Sequence, residues 1–229
     1  MLSDYIATVL GAGWISLQLA FISLAVAVVL GLLGALGKRS GSRALRLLVG
    51  VYTTLVRGVP DLVLMLLVFY SLPALLNQAF EAMGWDYSVE FSPFVAGCAT
   101  LGLIFGAYMT ETFRGALQGI PYGQIEAARA YGLGPVRTFR SIVLPQMIRL
   151  ALPGFTNNWL VLVKATALVS LLGLQDLMFR ARGAAEATGK PFTFYLLAAG
   201  FYLAITVVSL GALVWVGRRY SMGVKELSR

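Results

Sequence analysis

Lysine follows glycine twice in this chain, and each pair can be tested for phosphate chemistry. A phosphate-cradling loop needs glycine, four residues, then Gly-Lys-Ser/Thr, so that backbone N–H groups and one ammonium surround the anion. Gly37-Lys38 is followed by Arg39 and has Leu32 at the upstream glycine position; Gly189-Lys190 is followed by Pro191 and has Ala184 there. Both fail, so ATP hydrolysis, if the protein depends on it, must come from another polypeptide. The chain has no histidine and a single cysteine, Cys98. Disulfides and Cys/His metal sites within one chain are excluded, and no imidazole can serve as general base. Cys98 lies in an apolar run and reads as a small buried hydrophobe. The remaining informative stretch is a polar insert from Leu117 to Arg149, between two apolar segments. It contains Glu126-Ala127-Ala128-Arg129-Ala130-Tyr131-Gly132 and, after nine further residues, Ile142-Val143-Leu144-Pro145. Alanine, glutamate and arginine favour a short helix from about Tyr122 to Tyr131. Gly132 stops it, and Pro135 suits the first turn of the next helix. The expected product is helix, sharp turn, helix, carrying Arg114, Arg129, Arg137, Arg140 and Arg149. Such a knob is suited to being gripped by a soluble partner.

The elements that position this knob follow from composition. The chain is 59% hydrophobic and 12% charged over 229 residues, with a mean hydropathy of +0.80. A soluble domain of this size cannot hide that much apolar side chain. The class is an all-α integral membrane protein forming a single domain over 1–229. The net charge of +8 fits the positive-inside rule, and no basic, aromatic-studded strand pattern points to nucleic acid. No cleavable leader is expected, because the N-terminus lacks a basic stretch and a small-residue cleavage site.

Five spans are expected, at about 14–37, 59–76, 93–112, 150–174 and 192–216, each near or above the length that crosses a bilayer. Gly31, Gly34, Gly37 and the Gly102-x-x-x-Gly106 pair are candidate sites of close helix packing. Lys38, Arg39, Arg43 and Arg46 follow the first span without an acid, so this connection is assigned to the cytoplasm and the N-terminus to the outside. Leu47–Val56 is expected at or entering the inner face. Pro60 interrupts any continuous helix, and Arg57 and Asp61 are expected to form an ion pair one turn apart. Asn77 to Ser92 carries Glu81, Asp86 and Glu90 and belongs outside. Glu111 and Arg114 are expected to pair locally. Gln175 to Pro191 reads as a mixed outer loop. Arg218, Arg219, Lys225 and Arg229 place the C-terminus inside.

The fourth span holds Asn157, Asn158, Lys164, Thr166 and Ser170. An ammonium near mid-span costs roughly 3 kcal/mol on insertion scales, so Lys164 should face a cavity or a partner. It either lines a translocation path or ties helices together through a carboxylate or carbonyls. Asn157, Thr166 and Ser170 are candidates for interhelical hydrogen bonds.

Glu126, Ala127, Ala128, Gly132, Ile142, Leu144 and Pro145 also carry a resemblance. Glu-Ala-Ala, three residues, Gly, nine residues, Ile, one residue, Leu-Pro resembles the cytoplasmic loop of binding-protein-dependent ABC importer permeases. Arg57-Gly58-Val59-Pro60 is similar to a segment of their polar amino-acid branch, including the histidine/lysine/arginine/ornithine and opine types. The resemblance covers nearly the whole chain and implies a type I importer fold in the bacterial inner membrane. It implies that the loop, about 117–149, couples to two separate ATPase subunits, which carry ATP and Mg while this chain binds no cofactor. It further implies a homologous second permease subunit, a periplasmic binding protein and a polar, basic amino acid as cargo. Asn157, Asn158, Lys164, Thr166 and Ser170 would then border the substrate pathway.

One departure is visible. Relatives carry Asn-Glu-Phe and Lys-Asp-Thr in the fourth span, where this chain has Asn157-Asn158-Trp159 and Lys164-Ala165-Thr166. Both acidic positions are neutral, so the resemblance implies that a partner permease completes any site for a cation. An ATP-independent channel, an ion-coupled carrier and a membrane scaffold are the readings from other classes. Transport without an ATPase, or no flux in any assembly, would distinguish them.

Overall fold

In a computed structural model the structure describes residues 2–220, so Lys225 and Arg229, expected on the inner side, lie outside the described residues. Among the described residues every regular element is helical. In chain order they are α1 (Leu2–Lys38), α2 (Arg43–Gly58), α3 (Asp61–Ala82), α4 (Pro93–Gln118), α5 (Tyr122–Ala130), α6 (Pro135–Leu172), α7 (Leu177–Thr188) and α8 (Pro191–Tyr220). Five of them, α1, α3, α4, α6 and α8, are long and apolar enough to cross a membrane.

The central packing is α1 against α4, with α6 laid across α4. Leu19, Leu101, Ile104, Phe105, Met109 and Leu162 are almost wholly buried there. Small residues make the approach possible. A Cβ on Gly31 would stand 2.4 Å from Met109 Cβ, and one on Gly102 would stand 2.5 Å from a Val26 methyl. With no water to expel between helices in lipid, such close backbone approach is a main source of association. Gly31→Leu is therefore expected to destabilise the bundle by about 1–3 kcal/mol through overpacking. A thermal-stability assay on the purified protein reads this, and an unchanged midpoint would show that α1 and α4 can separate freely.

Three expectations need correction. The second helix of the polar insert does not end before the fourth span. α6 runs from Pro135 through Leu172, so Ile142, Leu144 and Pro145 sit on the spanning helix itself. Its backbone widens into one π-turn at Phe139–Val143, directly before Pro145. Proline clashes with the carbonyl four residues back, and the wider turn gives it room while keeping the helix continuous. Residues 175–191, read from the sequence only as mixed in charge, contain a helix. The Asp176 side chain accepts from Phe179 N at 3.0 Å and starts α7, while Gly189 (φ 66°) ends it. Arg57 and Asp61 do not pair, because Val59-Pro60 separates two helices between them. The Arg57 guanidinium lies 5.3 Å from the centre of the Tyr108 ring instead, a cation–π contact.

The second and first spans also differ in extent, α3 reaching Ala82 and α1 starting at Leu2. α2 packs against α1 and α4 without crossing, with the Tyr52 hydroxyl donating to Leu103 O at 2.6 Å. α3 and α8 have few fully buried residues.

Candidate functional site: a docking knob and an open helix face

α5 ends in a Schellman closure. Gly132 N donates to Arg129 O at 2.9 Å and Leu133 N to Ala128 O at 3.0 Å. Gly132 takes φ 75°, the left-handed region that costs glycine nothing. Ala128 and Thr138 are buried beneath the turn, which holds α5 against the start of α6. Gln146 Nε2 donates to Gln124 Oε1 at 2.6 Å and fixes the far end of α5 to α6.

This geometry brings the two halves of the motif together. Ala127, Ala128, Ile142 and Pro145 line one open groove of about 440 Å³, with Tyr131 and Gln146 at its rim. Small side chains at 127 and 128 let the two helices sit close, and Pro145 supplies a donor-free wall. Glu126 and Gly132 are exposed, and Leu144 is half-buried. Glu126 makes no ion pair among the described residues. Tyr131 is 87% exposed and Val136 78% exposed at the tip. Neither stood out in the sequence, where an exposed aromatic beside a turn has no distinguishing mark.

Near the knob, α1, α2 and α4 are tied together by charge. Lys38 at the end of α1 pairs with Glu111 of α4 and donates to Thr53 Oγ1 of α2 at 2.7 Å. Arg114 approaches the second oxygen of Glu111, Nε at 2.8 Å and Nη2 at 2.7 Å. The Glu111–Arg114 pair is visible in the sequence. Lys38, a topological marker there, could not be joined to it by local spacing.

Span four separates its polar residues between two faces. Asn157 and Lys164, seven apart, share the uncovered face with Val161. Lys164 has no carboxylate or carbonyl partner among the described residues, so within this chain it ties nothing together. It lies in the last turn of the regular α-helical run, where the helix dipole favours a cation. Asn158 points inward and donates to Thr112 Oγ1 at 3.0 Å, an interhelical bond. Thr166 and Ser170 return their hydroxyls to their own helix, at Val163 O and Ala167 O, both 2.7 Å. The interhelical bond expected of Asn157, Thr166 and Ser170 is thus made by Asn158.

At the opposite end from the knob, the Asp176 carboxyl is wholly buried at the start of α7. Burial pushes it up from 3.8 to about 6, against the lowering effect of the Phe179 and Met178 N–H groups. Because the folded value is raised, the charged form is the costly one. The cost is absent below about pH 3.8, grows as pH rises and is full above about pH 6, at roughly 3 kcal/mol. Asp176→Asn keeps a capping oxygen and removes the charge. It is expected to be more stable than the parent at about pH 7.5, with the advantage shrinking towards about pH 5. Thermal midpoints across that range check this, and a pH-independent difference would contradict it.

Five helices long and apolar enough to cross a membrane thus carry a grooved polar knob at one end. The chain belongs to the family of binding-protein-dependent transport system inner membrane components, whose profile matches residues 27–222. It is 50% identical over 226 residues to the histidine/lysine/arginine/ornithine transport system permease protein HisQ of Escherichia coli (strain K12), covering 99% of each chain. It is 41% identical to the octopine transport system permease protein OccQ of Agrobacterium tumefaciens (strain Ach5), over 85% of this chain and 82% of that one. Among solved structures, an amino acid ABC transporter crystallised with histidines shares the fold at a TM-score of 0.78 and 28% identity, covering 95% of this chain and 96% of the other. The chain is the membrane-spanning permease subunit of an ABC importer, with the type I importer fold.

Proposed function

We propose that this subunit carries a basic amino acid or an opine across the inner membrane, driven by ATP hydrolysed on separate subunits. The observation that supports coupling most strongly is the groove. Residues far apart in the motif, Ala127, Ala128, Ile142 and Pro145, converge on one concave surface beside the Gly132 turn. An ATPase seated on this knob moves α5 and, because α6 is continuous, transmits the movement straight into span four. That is coupling through a shared rigid element. Glu126, exposed and free of ion pairs, offers the ATPase a charge to grip.

The orientation that fits is N-terminus periplasmic and C-terminus cytoplasmic. The knob, the Lys38–Arg46 connection and Arg218–Arg219 then share the inner side, and Glu81, Asp86 and Glu90 share the outer side. The cargo class rests on the names of the relatives, whose systems transport histidine, lysine, arginine, ornithine or octopine.

The second permease subunit is a different chain in this proposal. α3 and α8 have little cover of their own. Asn158 and Ala165, where relatives are expected to carry acids, are neutral and turned towards the buried side of α6. Low dielectric makes a carboxylate the natural holder of a cationic substrate. The partner supplies it, and Asn157 and Lys164 of this chain line the opposite wall. Lys164 repels a cation and so keeps it on the partner's side.

Reconstitution in proteoliposomes tests the whole reading. This chain, a second permease and an ATPase should together show ATP-dependent uptake of histidine or arginine in the presence of the binding protein. Uptake of arginine by this chain as the sole permease would refute the heterodimer. Uptake without the ATPase would refute the coupling.

A further inference from the structure

The antiparallel pair α6 and α8 touches tightly near the end where α8 finishes. A Cβ on Gly217 would stand 3.0 Å from Leu152 Cδ2. On either side of this contact lies an apolar groove. One, about 250 Å³, is lined by Ile148, Leu152, Phe155, Leu213 and Val216. The other, about 240 Å³, is lined by Leu152, Pro153, Leu210, Val214 and Gly217. Arg149 sits one helical turn below Leu152, and Arg218 and Arg219 follow Gly217 directly. All three arginines therefore lie at the same end of the α6–α8 pair as the two grooves, within one helical turn of Leu152 or Gly217 in the sequence. Neither α6 nor α8 contains an acid. Glu111 on α4 is taken by Lys38 and Arg114. None of the three arginines forms an ion pair among the described residues.

We infer that this double groove is a binding site for an anionic phospholipid of the inner leaflet, one acyl chain in each groove and the phosphate on Arg149, Arg218 and Arg219. A pair of grooves separated by one ridge matches a two-chain lipid, and three guanidiniums with no ion pair among the described residues, at the same end of the helix pair, match its charged phosphate. General positive-inside charge does not require paired apolar grooves at the end of the helix pair that carries the arginines. The site lies on span four and its neighbour, so a bound lipid bears on the helix that the proposed coupling would move. The inference rests on the cytoplasmic placement of this end, and its test is independent of transport.

The assembled transporter in mild detergent is offered phosphatidylglycerol and phosphatidylcholine of identical chains, and retained lipid is counted by native mass spectrometry. The protein should retain phosphatidylglycerol preferentially, with the preference falling roughly fivefold for each arginine replaced by glutamine. The combination Arg149→Gln, Arg218→Gln and Arg219→Gln should abolish it. The control pair Arg39→Gln and Arg43→Gln should leave it intact. No headgroup preference, survival of the preference in the triple variant, or equal loss in the control would overturn the site. Should the triple variant not assemble, phosphatidylglycerol with photoreactive chains is cross-linked to the unaltered protein. Adducts at Ile148, Phe155, Leu210 or Val214 support the inference. Their absence, as when a second permease covers the grooves, refutes it.

Discussion

Gly132→Val is expected to abolish ATP-dependent uptake while leaving the chain inserted in the membrane. The residue sits at φ 75°, and a Cβ built there meets nothing within 4 Å. The effect therefore comes from backbone conformation rather than a clash. A β-branched residue in the left-handed region costs roughly 1–2 kcal/mol and disfavours the two bonds that close the end of α5. α5 then leaves its angle against α6, and the groove opens. A loss of that size is about tenfold in docking, and transport should fall by at least as much. Gly132→Asn, which tolerates this backbone region better, is expected to be milder. Uptake in proteoliposomes and retention of the ATPase during purification read the two variants. Wild-type uptake by Gly132→Val would remove the knob from the mechanism.

Glu111→Ala should produce the largest loss of stability among changes to the charged cluster. Its carboxylate holds Lys38 on one oxygen and Arg114 on the other, and Lys38 and Glu111 are both about four-fifths shielded from solvent. Removing the acid leaves two cations facing each other between the end of α1 and α4. An uncompensated, partly buried charge of this kind costs about 2 kcal/mol, less than a fully buried pair would. For a chain of this size that corresponds to a drop of roughly 5 °C in the melting midpoint. Lys38→Met should cost less, because Arg114 still answers the carboxylate. Arg114→Gln should cost least, since Arg114 is the most exposed member and solvent screens its share. Equal midpoints for Glu111→Ala and the parent would show that the cluster is decorative.

What the sequence discloses depends on the range of the interaction. The α5 stop at Gly132 and the restart at Pro135 were readable because both are fixed by the conformational limits of single residues. The five spans were readable because each carries its own hydrophobicity. The continuity of the helix from Pro135 into the fourth span was not readable, because Gln146 and Arg149 look like surface residues although they belong to the same helix. α7 announced itself through Asp176, an alanine-rich run, Gly189 and Pro191, but the mixed charge of the stretch masked the pattern. The Arg57–Asp61 expectation failed because spacing was counted across a proline break. The Lys38–Glu111 bond and the groove between Ala127 and Pro145 are products of packing, and no local pattern announces them. Nor does periodicity alone place Asn158 inside and Asn157 outside, since that depends on where α4 lies.

The central claim is that the α5–α6 knob faces the cytosol and carries the ATPase. The native cysteine, Cys98, is buried in α4, so a new thiol at the knob is read against a quiet background. Arg137→Cys should resist a membrane-impermeant thiol reagent applied to the outer face, react once the cytosolic face is opened, and be shielded again when the ATPase is bound. Modification from the outer face of sealed membranes would contradict the account.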